Sequence, residues 1–227
     1  MRRCIALFAK NPVPGAVKTR LHAHCDPADA ARLYRAFLLD SAALVAGVSA
    51  EEKIIAYAPA DAEAKLRALL DEVGEFTYVA QCEGGLGARM TEVVTISRER
   101  GAEAVVLLGS DSPNVPTAYV ECAFRLLEEH EVVIGPSTDG GYYLMGLQRG
   151  AARPFFDIDW STGAVLEQTL ERIGDQSLGL LPPWYDVDTP EDAALLRVHL
   201  RAQFRTGLRA GAHSLKVLEE LELPPPS

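Results

Sequence analysis

The sequence predicts an α/β protein of three layers, a mostly parallel sheet with helices on both faces. Three observations predict it. Strand and helix signals alternate along the chain, which is the pattern of repeated strand–helix units. The runs CIALFA (residues 4–9) and AVVLL (104–108) are continuously apolar, as expected of strands covered on both faces. In such sheets ligands bind beyond the carboxyl ends of the strands, and the unusual polar residues fall there: Lys18 and Arg20 after the first strand, GGLGAR after the third, SDSPN after the fourth, STDGG after the fifth.

Each element has its own signal. CIALFA is the first strand. Asp26 followed by Pro27 marks a helix start, and Leu33, Phe37, Leu44, Val45 and Val48 then fall on one helical face. KIIAYA is the second strand, DAEAKLRALLDEV a helix, FTYVAQ the third strand, and GARMTEVVTISRERG a helix closed by Gly101. AVVLLGSD is the fourth strand; the helix from about Pro116 puts Val120, Phe124 and Leu127 on one stripe. EVVIGP and YYLMGL are the fifth and sixth strands, and TGAVLEQTLERIG is a helix with Ser161 or Thr162 as its expected cap. In TPEDAALLRVHLRAQF, Thr189 caps, Pro190 opens the helix, and Asp192 stands at its third position. Residues 1–205 are expected to form one domain, with 206–227 a helical extension whose LPPPS end frays.

Composition excludes several classes. At 227 residues, 48% of them apolar, the chain can bury a sizeable core. Its formal net charge of -10 repels phosphate backbones and counts against nucleic acid as a partner. No run approaches the roughly 20 apolar residues of a spanning helix, and no targeting segment is recognisable, so a cytoplasmic protein without membrane contact is expected. Cys4, Cys25, Cys82 and Cys122 contain no C-x-x-C pair and read as reduced thiols rather than a zinc site. His22 and His24 read as loop polarity.

The loops carry the candidate chemistry. FAKNPVPGAVKTRL (8–21) has neither the spacing of a phosphate-binding P-loop nor a G-x-G-x-x-G turn. Pro12, Pro14 and Gly15 restrict its shape, so that Lys18 and Arg20 could both meet one diphosphate; two solvated cations would be the plain alternative. Asp111 is delivered to the end of a buried strand, and Pro113 prevents the strand from continuing. A carboxylate there suits Mg²⁺ or Mn²⁺, which takes few protein oxygens and shares the rest with phosphates and water; a turn or capping aspartate is the lesser alternative. Asp139 precedes Gly140 and Gly141, which could form a hairpin turn or let backbone approach a ligand. Asp186 and Asp188 alternate on an extended segment and so face one side; Asp188 is a candidate second metal carboxylate.

FAKNPVPGAVKTRL, GGLGARM, GSDSPNVP, PSTDGGYYLMGL, DIDWST and DVDTPEDA occur in this order across residues 8–193. Together they resemble a bacterial family of transferases with the Rossmann-like glycosyltransferase-A, or nucleotide-diphospho-sugar transferase, fold. Some members are described as arsenosugar-biosynthesis glycosyltransferases. KTRL is also similar to the K-S-R-L loop of phospholactate guanylyltransferases, and DVDTPEDA to the closing segment of sugar-nucleotide-forming cytidylyltransferases, where the second aspartate (here Asp188) helps hold Mg²⁺. One position departs from glycosyltransferases: their D-x-D would need an acid where this chain has Pro113.

The resemblance implies a metal-dependent transferase acting on a nucleotide or nucleotide-sugar and a small-molecule acceptor. Glycosyl transfer, nucleotidyl transfer from a nucleoside triphosphate, and nucleotide binding without catalysis all remain open, as does homo-oligomerisation. It implies catalytic roles for Lys18, Arg20 and Asp139. Nucleotide contacts fall to Lys10, Gly15, Lys18, Arg20, Gly85, Gly87, Arg89 and Ser110, with the two Gly-Gly-loop glycines allowing close approach. Asp111 and Asp188 would hold Mg²⁺ or Mn²⁺.

Overall fold

The computed structural model describes residues 1–225; the last two positions of the tail expected to fray lie outside the described residues. Seven strands form one sheet: β1 (Arg3–Lys10), β2 (Glu52–Ala58), β3 (Thr77–Ala80), β4 (Ala104–Leu108), β5 (Val132–Pro136), β6 (Tyr142–Gln148) and β7 (Leu178–Leu180). Their spatial order is β3-β2-β1-β4-β6-β5-β7. All run parallel except β6, which pairs antiparallel with both β4 and β5. The expected mostly parallel α/β sheet is therefore present.

The reversal at β6 follows from its connection. Only Ser137–Gly141 separates it from β5, closed by a bond from the Ser137 N–H to the Gly141 carbonyl at 3.0 Å, and so short a loop can join only antiparallel strands. β7, with just Leu-Gly-Leu, gave no sequence signal.

Period-two alternation puts side chains on both sheet faces. From β1, Ile5, Leu7 and Ala9 enter one core cluster, while Cys4 and Ala6 enter the other. The first cluster is covered by α1 (Pro27–Gly47), α2 (Glu63–Leu70), α4 (Thr117–Leu126), α6 (Pro190–Arg205) and α7 (Ala212–Leu218). The second is covered by α3 (Leu86–Glu99) and α5 (Val165–Ile173). Helix, sheet, helix: three layers.

Local chemistry sets the helix ends. The Asp26 carboxylate accepts from the Asp29 N–H at 2.8 Å, with Pro27 next, and Thr189 with Asp192 completes a capping box on α6. The expected cap of α5 is corrected: its N-cap is Ala164, which offers no side-chain bond. The Thr162 hydroxyl instead donates to the Asp159 carbonyl at 2.7 Å, and Ser161 takes a left-handed backbone with φ of 66°. The segment past residue 205 joins the main core. Asp40 of α1 accepts from the Ser214 N–H (2.7 Å) and hydroxyl (2.5 Å), and Leu218 is fully buried. Among the described residues no helix is long and apolar enough to cross a membrane.

Candidate active site

The carboxyl ends of β1, β4 and β5, with the start of β6, open onto a cavity of about 670 Å³. Its lining includes Lys10, Lys18, Arg20, Arg89, Ser110, Asp111, Asp139 and Asp188. Eight of the residues singled out in sequence thus come together at one edge of the sheet. Gly15, Gly85 and Gly87 are not on its wall. Gly15 has φ of +80° and open space around it, so it serves the turn, and Gly85 is the N-cap of α3.

Gly87 has a packing role. A Cβ there would lie 2.1 Å from the Phe155 carbonyl oxygen and 3.2 Å from Trp160 Nε1. The missing side chain admits the Phe155 carbonyl and the Trp160 indole against α3.

Lys18 sits at the centre of the site. Its backbone is left-handed, φ 48°, at the entry to a short 3-10 turn over Thr19–Ala23; in a non-glycine residue this costs about 1 kcal/mol. The side chain is only 5% exposed. Nζ donates to the Val187 carbonyl (2.7 Å) and Asp188 Oδ1 (2.9 Å) and pairs with Asp111 Oδ1 at 2.5 Å. Three oxygens therefore match the three N–H bonds of the ammonium. Burial by itself would lower the Lys18 pKa, but Asp111 and Asp188 outweigh it and raise it above the ordinary lysine value. The expectation that Lys18 grips phosphate directly meets a steric and electrostatic fact: the ammonium is enclosed and already paired. Arg20 differs. It is 67% exposed and touches Asp188 Oδ2 at 3.4 Å.

The carboxylates come from two distant segments. Asp111 follows β4, and its carbonyl accepts from the Val187 N–H at 2.9 Å, which ties the 184–188 segment to the β4 turn. Burial would raise the Asp188 carboxyl, but the Lys18 ammonium, its hydrogen bond and Arg20 together hold it below its usual range. Asp186, to which sequence gave no role, also lines the cavity. The Ser112 hydroxyl donates to one of its oxygens, and the Ser137 hydroxyl to the other at 3.0 Å. Burial pushes its pKa up to about 6, with Asp111 and Asp139 adding to the effect against the two serine bonds. The alternation of Asp186 with Asp188 was its signal.

The remaining wall is polar on one side and aromatic on the other. Arg89 Nε donates to the Gly84 carbonyl at 3.0 Å, which fixes the guanidinium beside Gln81. The Lys10 N–H donates to the Tyr34 hydroxyl (3.0 Å), which in turn shares a 2.9 Å bond with the Ser110 hydroxyl. Asp139 Oδ1 accepts from the Gly141 N–H at 3.0 Å, so this residue shapes the turn, the first of the two alternatives, and it also lines the cavity. Trp160, not foreseen as a site residue, lines the cavity and meets Tyr142 edge-on at 6.4 Å.

A divalent cation has two candidate protein ligands here. Asp111 and Asp188 converge on one ammonium, and their side chains are 46% and 38% exposed, so oxygens remain accessible from the cavity. Among the described residues no group of three or more His, Cys, Asp or Glu side chains forms a metal cage. The donor set suits Mg²⁺ or Mn²⁺, which needs one or two carboxylates plus water and substrate phosphate.

Comparisons with known proteins agree with the fold. The family model described as "Uncharacterized protein conserved in bacteria (DUF2064)" matches residues 41–162. A crystal structure from Desulfovibrio desulfuricans G20, described as a candidate nucleotide-diphospho-sugar transferase, is 35% identical over 97% of this chain and 95% of that one, with a TM-score of 0.86. The fold is shared at 13% identity and a TM-score of 0.60 with 4-diphosphocytidyl-2C-methyl-D-erythritol synthase from Anaerococcus prevotii DSM 20548, over 88% and 96% of the two chains. It is also shared at 15% identity and 0.52 with a CMP:2-keto-3-deoxy-manno-octonic acid synthetase complexed with CTP, over 92% and 100%. No curated protein matches the chain significantly.

Proposed function

The chain belongs to the DUF2064 family of bacterial proteins, and from that premise we propose that it is a metal-dependent transferase acting on a nucleotide-sugar. The observation that carries this proposal is the convergence of Asp111 and Asp188 on Lys18 beside the exposed Arg20, at the sheet edge where α/β folds bind ligands. The resemblance to a candidate nucleotide-diphospho-sugar transferase over nearly the whole chain supports it.

Each residue has a definite part. Arg20 contacts diphosphate oxygens as a mobile cation, with Lys10 adding charge at the end of β1. Lys18 positions the two carboxylates and offsets their charge. Arg89 stands at the nucleoside end of the cavity, beside Gln81. Asp111 and Asp188 would hold the cation, which when bound neutralises charge developing on the departing diphosphate.

Asp139 is the acceptor's base. Its Oδ1 is engaged with Gly141, which leaves Oδ2 for an acceptor hydroxyl. That hydroxyl oxygen bonds to the anomeric carbon, its proton passes to Asp139, and the carbon–oxygen bond to the diphosphate breaks with its electron pair leaving on the nucleoside diphosphate.

Nucleotidyl transfer is the second reading, favoured by one feature. Pro113 removes the second acid of a D-x-D, and the site's other carboxylate comes from DVDTPEDA, as in the cytidylyltransferases this segment resembles. The two reactions release different products. A thermal-shift panel of nucleoside triphosphates and nucleotide-sugars with Mg²⁺ selects the donor class, since a ligand at about 100 times its Kd stabilises by roughly 2.7 kcal/mol. Phosphorus NMR of the turnover mixture then shows nucleoside diphosphate for glycosyl transfer or pyrophosphate for nucleotidyl transfer. Stabilisation by neither ligand class contradicts the proposal.

A further inference from the structure

The cavity is divided by charge. Its cations come from the β3–β1 side: Lys10 at the end of β1, Arg20 in the loop after it, and Arg89 on α3. Lys18 is the fourth, and Asp111 with Asp188 already pairs it. A second wall, from the β5–β6 turn and the segment before α5, presents Asp139, Trp160, Ser161 and Thr162, with the Trp160 indole against Gly87 of α3. Among the described residues, neither of these two segments contributes a lysine or arginine to the cavity lining.

Packing makes this second wall a fixed surface. Gly140 has φ of +90°, and a Cβ on it would lie 2.4 Å from the Gly163 carbonyl oxygen. The Leu166 N–H donates to the Gly140 carbonyl at 2.9 Å. The Asp139 turn and the 160–163 segment therefore move as one wall, with Trp160 edge-on to Tyr142 at its back. Such a wall offers one carboxylate, the Ser161 hydroxyl and an indole, the Thr162 hydroxyl being already bonded to the Asp159 carbonyl. A phosphate or carboxylate placed there would face Asp139 with no lysine or arginine of the same wall to offset the repulsion. At about 4 Å and an effective dielectric of 20 that repulsion is worth on the order of a thousandfold in affinity.

From this we infer that the acceptor is an uncharged or cationic hydroxyl compound, such as a sugar or amino sugar, and not a phosphate monoester or a carboxylate. The inference rests on the transferase proposal above. It assigns the acceptor a hydroxyl for Asp139, a hydrogen-bonding group for Ser161, and an apolar ring face for Trp160, the pairing by which aromatic side chains hold amphipathic ligands.

Methyl phosphate is the probe, and Trp160 is the reporter in a Trp184→Phe background, which leaves it the only tryptophan of the two. Fluorescence titrations are run on free protein and on protein saturated with Mg²⁺ and the tightest binder among ADP, GDP, CDP and UDP. The expected result is that methyl phosphate competes with the nucleotide on free protein and adds nothing to loaded protein. Thr162→Lys should then create a methyl phosphate site on loaded protein, with at least a tenfold gain in affinity. Saturable binding of methyl phosphate to loaded protein without that substitution overturns the inference. So does the absence of any gain in Thr162→Lys, because charge at this wall would then not govern binding. If none of the four nucleotides binds, the transferase proposal itself falls, a result distinct from either.

Discussion

The Lys18 ammonium donates to the Asp188 carboxylate at 2.9 Å across 170 positions of sequence. The bond joins the loop after β1 to the segment that enters α6, and the same ammonium holds Asp111. It explains how a net anionic chain can gather carboxylates at one sheet edge without their mutual repulsion opening it.

Lys18→Met should therefore destabilise the protein as well as weaken nucleotide binding. Removing one member of a fully buried pair costs about 3–5 kcal/mol, and the partial exposure of both carboxylates lowers this to about 1–3 kcal/mol. Mg²⁺ should raise the Tm of the variant more than that of the parent, because the two carboxylates are then unpaired. Equal Mg²⁺ responses in differential scanning fluorimetry contradict the shared-carboxylate geometry.

Arg20→Ala separates binding from folding. The side chain is 67% exposed, and substitutions at such positions change stability by about 0.5 kcal/mol or less. Nucleoside diphosphate affinity should drop tenfold or more, the loss of one charge-assisted contact. Calorimetry with unchanged Kd would remove Arg20 from the site.

Gly85 and Gly87 should behave oppositely when each is replaced by alanine. A Cβ at Gly87 collides with the Phe155 carbonyl, whereas at Gly85 it meets open space. Gly87→Ala should cost about 1–3 kcal/mol, and Gly85→Ala about 0.5 kcal/mol or less. Urea denaturation measures both; a neutral Gly87→Ala contradicts the packing role.

Asp186 predicts a pH signature of stability. Its folded pKa, about 6, lies above the ordinary aspartate value of 3.8. The protonated carboxyl is thus the form that folding favours, a contribution fully present below about pH 4 and lost as pH rises through about 6. Its size is on the order of 3 kcal/mol. Measured in EDTA, the Tm of Asp186→Asn minus that of the parent should increase from pH 4 to pH 7. A difference independent of pH contradicts the assignment.

Much of this was legible in sequence, because strand-end residues in an α/β sheet share an edge whatever their separation. Lys10, Lys18, Arg20, Ser110, Asp111, Asp139 and Asp188 all follow that rule. Residues whose role depends on a tertiary neighbour were not legible. Gly87 could be given its packing partner only once Phe155 was placed, and Lys18 could be seen as enclosed only once Asp188 was beside it. Asp186 carried a signal in its alternation, but its two serine donors come from turns that only the β6 insertion brings together. The three-residue β7 is too short for any periodicity, and the packing of α7 on Asp40 has no local signature.

The most direct test of the account is calorimetric titration of the best-binding nucleoside diphosphate with Mg²⁺, with EDTA, and with Asp111→Asn in Mg²⁺. Like charges about 4 Å apart repel by about 4 kcal/mol at an effective dielectric of 20, so a diphosphate beside Asp111 and Asp188 needs a cation between them. Affinity should fall at least a hundredfold in EDTA, and Asp111→Asn, a near-isosteric but poorer metal ligand, should reproduce most of that loss in the presence of Mg²⁺. Equal affinity in all three titrations would contradict the metal-bridged site and leave Asp111 a residue that only pairs Lys18.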